Sequence, residues 1–123
     1  MTVIRQEDLI ESIADALQFI SYYHPLDFIR AMRGAWEKEE SPSAKAALTQ
    51  VLVNSRMCAI GKRPICQDTG IVNVFISVGM DVSWEADMSL EDMINEGVRR
   101  GYTHPENVLR GSVLEDPDGA RAN

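Results

Sequence analysis

The chain has 123 residues, of which 45% are hydrophobic and 25% charged, and its formal net charge is -7 at pH 7. A chain of this size and balance folds as about one small domain, so the composition excludes disordered and fibrous proteins. Because nucleic acids and anionic membranes bind net-basic surfaces, the acidic balance also argues against both as partners.

Neither a membrane span nor an export signal is recognisable. No apolar run approaches the length needed to cross a bilayer, and the opening MTVIRQEDLIESIADAL is acidic and amphipathic rather than basic and then apolar. We therefore expect a cytoplasmic protein. Its two cysteines, Cys58 and Cys66, are too few for a disulfide framework, and a reducing compartment keeps such residues as thiols or metal ligands.

Three helices are predicted in the N-terminal half. Over residues 6–20 the apolar side chains recur at spacings of three and four, which is typical of a helix with one buried face. Pro25 ends this helix and starts a second, whose apolar face covers residues 28–36. A third begins after the capping residue Ser41 and stops at Gly61. Together these helices can share a core as a bundle.

The second half is predicted to be mixed. Residues 72–78 alternate in a β-rich run that favours a strand, and a turn at residues 79–81 leads to a short return strand from Val82. A further helix follows the capping residue Ser89, with Asp92 where a capping box has Glu or Gln. The expected fold class is α+β: a helical N-terminal half, a β segment after the cysteine motif and a further helix. Because so small a sheet is marginal alone, we expect an incomplete part of a larger domain.

The motif RPICQDTG joins the third helix to this β segment. A thiolate at Cys66 would be a nucleophile or a soft-metal ligand. Gln67 offers two donors and an acceptor, Asp68 a base or carboxylate acceptor, and Thr69 with Gly70 a hydroxyl and a close backbone approach. The same residues suit an ordinary helix-to-strand turn, in which Asp68 and Thr69 bond turn amides. Residue chemistry leaves both interpretations open.

Two other kinds of protein are compatible with these features. One is a non-catalytic helical interaction module, in which the motif is merely a turn; the other is a thiol enzyme with Cys66 as nucleophile, although no histidine lies close in sequence. His24 and His104 each precede a proline and lack ligand spacing to a carboxylate or cysteine, so we expect turn or surface residues. Cys58 is expected to be a small buried residue on a helical face.

Although the protein is acidic overall, four arginines could form a local anion site: Arg63, Arg99, Arg100 and Arg110. For the adjacent Arg99 and Arg100, the simplest interpretation is a solvated helix end whose charge favours the helix dipole.

The run RPICQDTGIV, followed by NEGVRRGY and ENVLRGSV, resembles the class I iron-sulfur fumarate hydratases and the related tartrate dehydratase alpha subunits. The resemblance includes the opening DALQFISYYHPLDFI, covers essentially the whole chain, and is greatest to the long single-chain bacterial fumarases. It implies that residues 1–123 are the N-terminal part of an iron-sulfur hydro-lyase domain of the fumarase alpha type. The intact enzyme would interconvert (S)-malate and fumarate, a step of the tricarboxylic acid cycle.

The resemblance also implies the site residues. Cys66 matches the motif cysteine, one of three that hold a four-iron four-sulfur (4Fe-4S) cluster with one iron open to substrate. Gln67 and Asp68 match residues that contact the bound dicarboxylate, and Asp68, the predicted catalytic residue, helps to set the protonation state of a catalytic histidine elsewhere. Arg110 matches the arginine of the LR segment that pairs with a substrate carboxylate.

Several parts of the family pattern lie outside this sequence: the other two cluster cysteines, the catalytic base, the histidine partner and the C-terminal substrate arginines. We therefore expect these 123 residues alone to be inactive, and the intact enzyme to be a homodimer that binds a small dicarboxylate, malate or fumarate. The alternative within the family is a tartrate dehydratase alpha-type hydro-lyase, although the long-form opening favours a fumarase.

Overall fold

The computed structural model describes residues 1–65 and 71–107 of the chain. The elements in chain order are strand β1 (Thr2–Arg5), helices α1 (Gln6–Tyr22), α2 (Leu26–Lys38) and α3 (Pro42–Gly61), strand β2 (Val82–Glu85) and helix α4 (Leu90–Thr103). This content confirms the α+β class, the helical first half and the further helix. None of the helices in the described ranges is both long and apolar enough to cross a bilayer.

The chain divides into two compact units, one of Met1–Gln18 with Asp68–Asn123 and the other of Phe19–Gln67. In the first unit, β1 and β2 pair in parallel, with Thr2 opposite Val82 and Arg5 opposite Glu85. Parallel strands need a long crossover, which the 76 residues between Arg5 and Val82 provide. Strand β1 was not predicted, although three β-branched residues in succession at its start are a signal for it.

Helices α1 and α4 approach closely within this unit. A Cβ added to Gly97 would lie 2.7 Å from the Cβ of Ile13, and one added to Gly101 would lie 3.0 Å from Cδ1 of Leu17. Ile10 and Met93 are each 1% exposed, which places the core of the unit beside these glycines. The buried face of α4 is therefore the stripe Met93, Gly97 and Gly101, in which the small residues allow close packing.

The strand predicted over residues 72–78 is wrong for this structure. The described residues from Ile71 to Gly79 form no strand, and Phe75 is 94% exposed. Alternation shows that a segment suits a sheet, but a strand also needs a neighbour to receive its backbone hydrogen bonds, and the described sheet consists of β1 and β2 alone. The predicted turn is confirmed, because the Val82 N–H donates to the Gly79 carbonyl oxygen at 3.3 Å.

The second unit contains the last turn of α1, together with α2 and α3. Helices α2 and α3 contact each other where the Trp36 Nε1–H donates to Thr49 Oγ1 at 2.9 Å. The Lys45 ammonium lies 4.4 Å from the centroid of the Trp36 ring, a cation–π contact. Ser41 is the N-cap of α3, as predicted, but its hydroxyl bonds that of Ser43 instead of a helix N–H. Helix α2 buries no side chain fully, so it packs against the rest of the second unit through partly exposed side chains.

Candidate functional site

The predicted site residues Cys66, Gln67, Asp68 and Arg110 all lie outside the described residues. Their proposed roles therefore stay predictions. The structure does describe the chain that leads into the cysteine motif and the chain that leads towards Arg110, and it shows what holds each of them.

The end of α3 turns the chain into the cysteine motif. The predicted stop, Gly61, is the last helical residue, but the left-handed conformation belongs to Lys62, with φ 47° and ψ 49°. A non-glycine residue in this region costs on the order of 1–2 kcal/mol. The reversal is held by the Cys58 carbonyl oxygen, which accepts the N–H of Lys62 and, at 3.0 Å, the N–H of Arg63.

Ile65, the residue before Cys66, is held in place by a main-chain hydrogen bond and by the burial of its side chain. Its N–H donates to the carbonyl oxygen of Ser21 at 2.8 Å, and its side chain is buried, with 7% of the residue exposed. Ser21 lies in the last turn of α1, where carbonyl groups have no partner inside the helix. One hydrogen bond therefore satisfies the Ser21 carbonyl group at the helix end and anchors the start of the motif.

Cys58 is buried, as predicted for a small residue on a helical face. Its Sγ lies 3.6 Å from the carbonyl oxygen of Pro64 and 3.7 Å from Oδ1 of Asn54, and a thiol is a weak donor to such oxygens. These contacts occupy Cys58 within the fold, so it does not suit the part of a cluster ligand.

His24 has a structural partner that the sequence did not reveal. It follows α1 in the junction before α2, and its Nδ1 is 3.0 Å from the Oγ of Ser55 on α3. Ser55 is buried, with 7% of the residue exposed. The His24 ring also stacks on Phe28, with centroids 4.4 Å apart. The turn position is as predicted, but the residue is half-buried and connects two elements. The 31 residues between His24 and Ser55 hide this pairing from local patterns.

The chain before Arg110 is anchored within the first unit. The Asn107 N–H donates to the His104 carbonyl oxygen at 2.9 Å, and the Asn107 side-chain amide donates to the Tyr102 carbonyl oxygen at 2.9 Å. From α1, Gln18 Nε2 donates to the Gly101 carbonyl oxygen at 2.7 Å and to Asn107 Oδ1 at 3.2 Å. These bonds hold the chain between α4 and Asn107, the last described residue before Arg110.

The paired arginines of α4 are committed to carboxylates. Arg99 donates two 2.7 Å hydrogen bonds to Glu96, and Arg100 donates to Glu96 at 2.9 Å and to Glu7. The bonds from Arg99, and then those from Arg100, hold the pKa of the Glu96 carboxyl at about 2, below its ordinary value of 4.5. Both guanidinium groups therefore pair with carboxylates, and their partial exposure fits the simpler interpretation that Arg99 and Arg100 lie on a solvated helix end.

Among residues 1–65 and 71–107, no group of three or more His, Cys, Asp or Glu side chains is placed to hold a metal ion. The predicted ligand Cys66 lies outside these ranges. The described residues therefore hold the chain before Cys66 and before Arg110, and among themselves they form no metal centre of this kind.

Comparison with known proteins agrees with the motifs. Residues 10–123 match the family described as fumarate hydratase (Fumerase). The chain is also 28% identical over 102 residues to a putative L(+)-tartrate dehydratase subunit alpha from Methanocaldococcus jannaschii. That alignment covers 83% of this chain and 35% of the relative, so the chain spans about a third of the relative's length. The chain belongs to the fumarate hydratase (Fumerase) family.

Proposed function

We propose that the protein containing this chain is a hydro-lyase that reversibly dehydrates (S)-malate to fumarate. The observation that carries the proposal is the family match, which extends over residues 10–123 and so includes the cysteine motif and the LR segment. The net charge of -7 is compatible with this substrate class, provided that a dicarboxylate meets a local cation such as Arg110.

The proposed cofactor is a 4Fe-4S cluster with Cys66 as one of its ligands. Thiolates are the usual ligands of such clusters, and a reducing cytoplasm would keep this cysteine as a thiol before the cluster is inserted. When bound, the cluster would supply a Lewis-acidic iron that polarises an oxygen of the substrate. The other two cysteine ligands would come from polypeptide outside these 123 residues.

Dehydration of malate breaks the C–O bond at C2 and a C–H bond at C3, and releases water. Arg110 is proposed to bind one substrate carboxylate through its guanidinium fork, and to stabilise the negative charge that develops beside it. Gln67 would donate to a second oxygen of the substrate. Asp68 would orient the substrate and bias the protonation state of a histidine outside this chain, while the base that removes the C3 proton also lies outside it.

A tartrate dehydratase is the second candidate function. It is favoured by one observation, the similarity to the archaeal protein described as a tartrate dehydratase alpha subunit. The reaction class is the same, since water is lost from a hydroxylated dicarboxylate in both cases. For either substrate we propose a cytoplasmic enzyme that assembles as a homodimer.

The test is a substrate comparison under anaerobic conditions. The full reading frame that contains these residues is reconstituted with iron and sulfide, and its turnover of (S)-malate and of L(+)-tartrate is measured separately. Arg110→Lys is the matched variant, because it keeps the charge and removes the fork.

Preferred turnover of malate, with a raised KM in Arg110→Lys, is the expected result. Preferred turnover of tartrate would establish the second candidate. Turnover of neither substrate by cluster-loaded protein would overturn both candidates, and failure of the protein to take up a cluster would favour the non-catalytic interaction module.

A further inference from the structure

A ring of contacts in the second unit surrounds the start of the cysteine motif. On one side, the last turn of α1 holds Ile65 through the Ser21 carbonyl oxygen. On the other side, the junction after α1 reaches α3 through the hydrogen bond between His24 and Ser55. We infer that His24 and Ser55 are positioning residues, which keep the end of α1 beside the end of α3 and thereby fix the main chain at Ile65.

The α3 side of the ring is continuous. Ser55 lies three residues before Cys58, and both are buried, at 7% and 4% exposure. The Cys58 carbonyl oxygen accepts the N–H groups of Lys62 and Arg63, so the loop is tied to the same part of α3 that carries Ser55. A displacement of this part of α3 would therefore move the loop that ends at Ile65.

The α1 side of the ring also spans only a few residues. His24 follows Ser21 by three residues, and Ser21 is fully buried. The Ile65–Ser21 hydrogen bond can form only when the last turn of α1 lies beside the loop after α3. The His24–Ser55 bond joins neighbouring parts of the chain, the junction just after α1 and α3 itself, so the two bonds support each other.

Loss of the His24 ring would have a local cost. Ser55 would lose its imidazole partner at a buried position, where an unmet polar group is costly. The stacking of the ring on Phe28 would go with it, which loosens the junction between α1 and α2.

The relevance of this positioning to chemistry rests on the proposed function, in which Cys66 is a cluster ligand. Ligands must be held close to their productive geometry by the residues around them. The hydrogen bond to Ser21 holds Ile65, the residue that precedes Cys66 in the sequence.

The test is site-resolved amide hydrogen exchange by NMR on the full chain, comparing wild type with His24→Ala, His24→Asn, Ser55→Ala and His104→Ala. His24→Asn keeps a polar atom near the position of Nδ1. His104→Ala is the matched control, because His104 belongs to the other unit and its ring Nδ1 accepts the N–H of Glu106, two residues away.

We expect His24→Ala and Ser55→Ala to accelerate exchange of the Ile65 and Arg63 amides by about threefold to tenfold, the range set by one lost hydrogen bond. His24→Asn should restore most of the protection, and His104→Ala should leave both amides unchanged. The amides of Glu39 and Lys45, which bond elsewhere in the second unit, should keep their wild-type rates.

Unchanged exchange at Ile65 in His24→Ala would overturn the inference. So would an equal acceleration of all amides in the unit, because that result indicates general destabilisation. Both outcomes are read without a cluster, so they are independent of the proposed function. If the reconstituted protein takes up no iron while Ile65 responds as expected, the proposed function fails and the positioning stands.

Discussion

The main-chain N–H of Ile65 donates a 2.8 Å hydrogen bond to the carbonyl oxygen of Ser21, and this bond joins the start of the cysteine motif to the end of α1. The two residues are far apart in sequence. The bond gives the helical N-terminal half a function beyond its own packing, since α1 supplies the acceptor that fixes the residue before Cys66.

The side chain of Ile65 should be important for the stability of the second unit. Ile65→Ala removes a buried side chain, so we expect a loss of about 2–5 kcal/mol in the free energy of unfolding. Ile60→Ala is the matched control: Ile60 is 74% exposed, and its change should stay within about 0.5 kcal/mol. Urea unfolding followed by Trp36 fluorescence in a Trp84→Phe background reports on this unit. Equal effects of the two substitutions would contradict the burial of Ile65.

Alanine substitutions at three glycines should change the free energy of unfolding in different directions. Gly97→Ala places a Cβ 2.7 Å from the Cβ of Ile13, so we expect it to destabilise by about 1–3 kcal/mol. Gly101→Ala has its tightest contact, 3.0 Å, with the end of the Leu17 side chain, while the Ala14 carbonyl oxygen lies at 3.5 Å, so it should cost less. Gly34→Ala in α2 meets nothing within 4 Å and should stabilise by about 0.5–1 kcal/mol.

Urea unfolding of each variant provides the test for this series. Trp84 fluorescence in a Trp36→Phe background follows the unit that contains Gly97 and Gly101. For Gly34, Trp36 fluorescence in a Trp84→Phe background is the appropriate signal. A stabilising Gly97→Ala would show that α1 and α4 do not approach as closely as described.

Lys62→Gly should stabilise the chain. Lys62 adopts a left-handed conformation that glycine adopts without steric cost, so relief of strain should outweigh the added freedom of the unfolded chain by about 0.5–1 kcal/mol. Lys38→Gly, in the last turn of α2, is the control and should destabilise through lost helix propensity. A destabilising Lys62→Gly would argue against the positive φ at this position.

The Glu96 carboxyl should titrate with a pKa of about 2, because Arg99 first and Arg100 second donate hydrogen bonds to its ionised form. Because the folded state lowers the pKa of Glu96, the ionised carboxylate stabilises the fold at pH values above 4.5, which is the ordinary pKa of the group. This contribution is lost as the pH falls from about 4.5 towards 2. The stability difference between wild type and Glu96→Gln should therefore be constant near neutral pH and shrink through that window.

Carboxyl resonances in an NMR titration measure the pKa of Glu96 directly. Arg99→Gln should raise the pKa of Glu96 towards its ordinary value of 4.5, and Arg100→Gln should raise this pKa by a smaller amount. A midpoint near 4.5 in the wild-type chain would contradict the hydrogen-bonded network.

Local signals predicted the helices well, and pairings between distant residues were not predictable. The helix expected over residues 6–20 is α1, Gln6–Tyr22, because its periodicity lies within one segment. The predicted cap at Ser89 is confirmed, since its Oγ accepts the N–H of Asp92 at 3.1 Å. By contrast, alternation over residues 72–78 indicated a strand without showing whether a partner strand lies beside it.

For the candidate site, the sequence and the structure contributed different parts. The roles of Cys66, Gln67, Asp68 and Arg110 come from motif resemblance, and they stay predictions. The anchoring through Ser21 and the His24–Ser55 pair depends on folding that no sequence spacing reveals.

We propose that Cys66 binds an iron-sulfur cluster in the intact protein. The deciding measurement is the content of iron and acid-labile sulfide after anaerobic reconstitution of the full reading frame. Cys66→Ala should lose the bound iron and sulfide, whereas Cys58→Ser, which keeps a hydrogen-bond donor at a buried position, should retain them. Full retention of iron and sulfide in Cys66→Ala would contradict the claim and leave the motif as a turn.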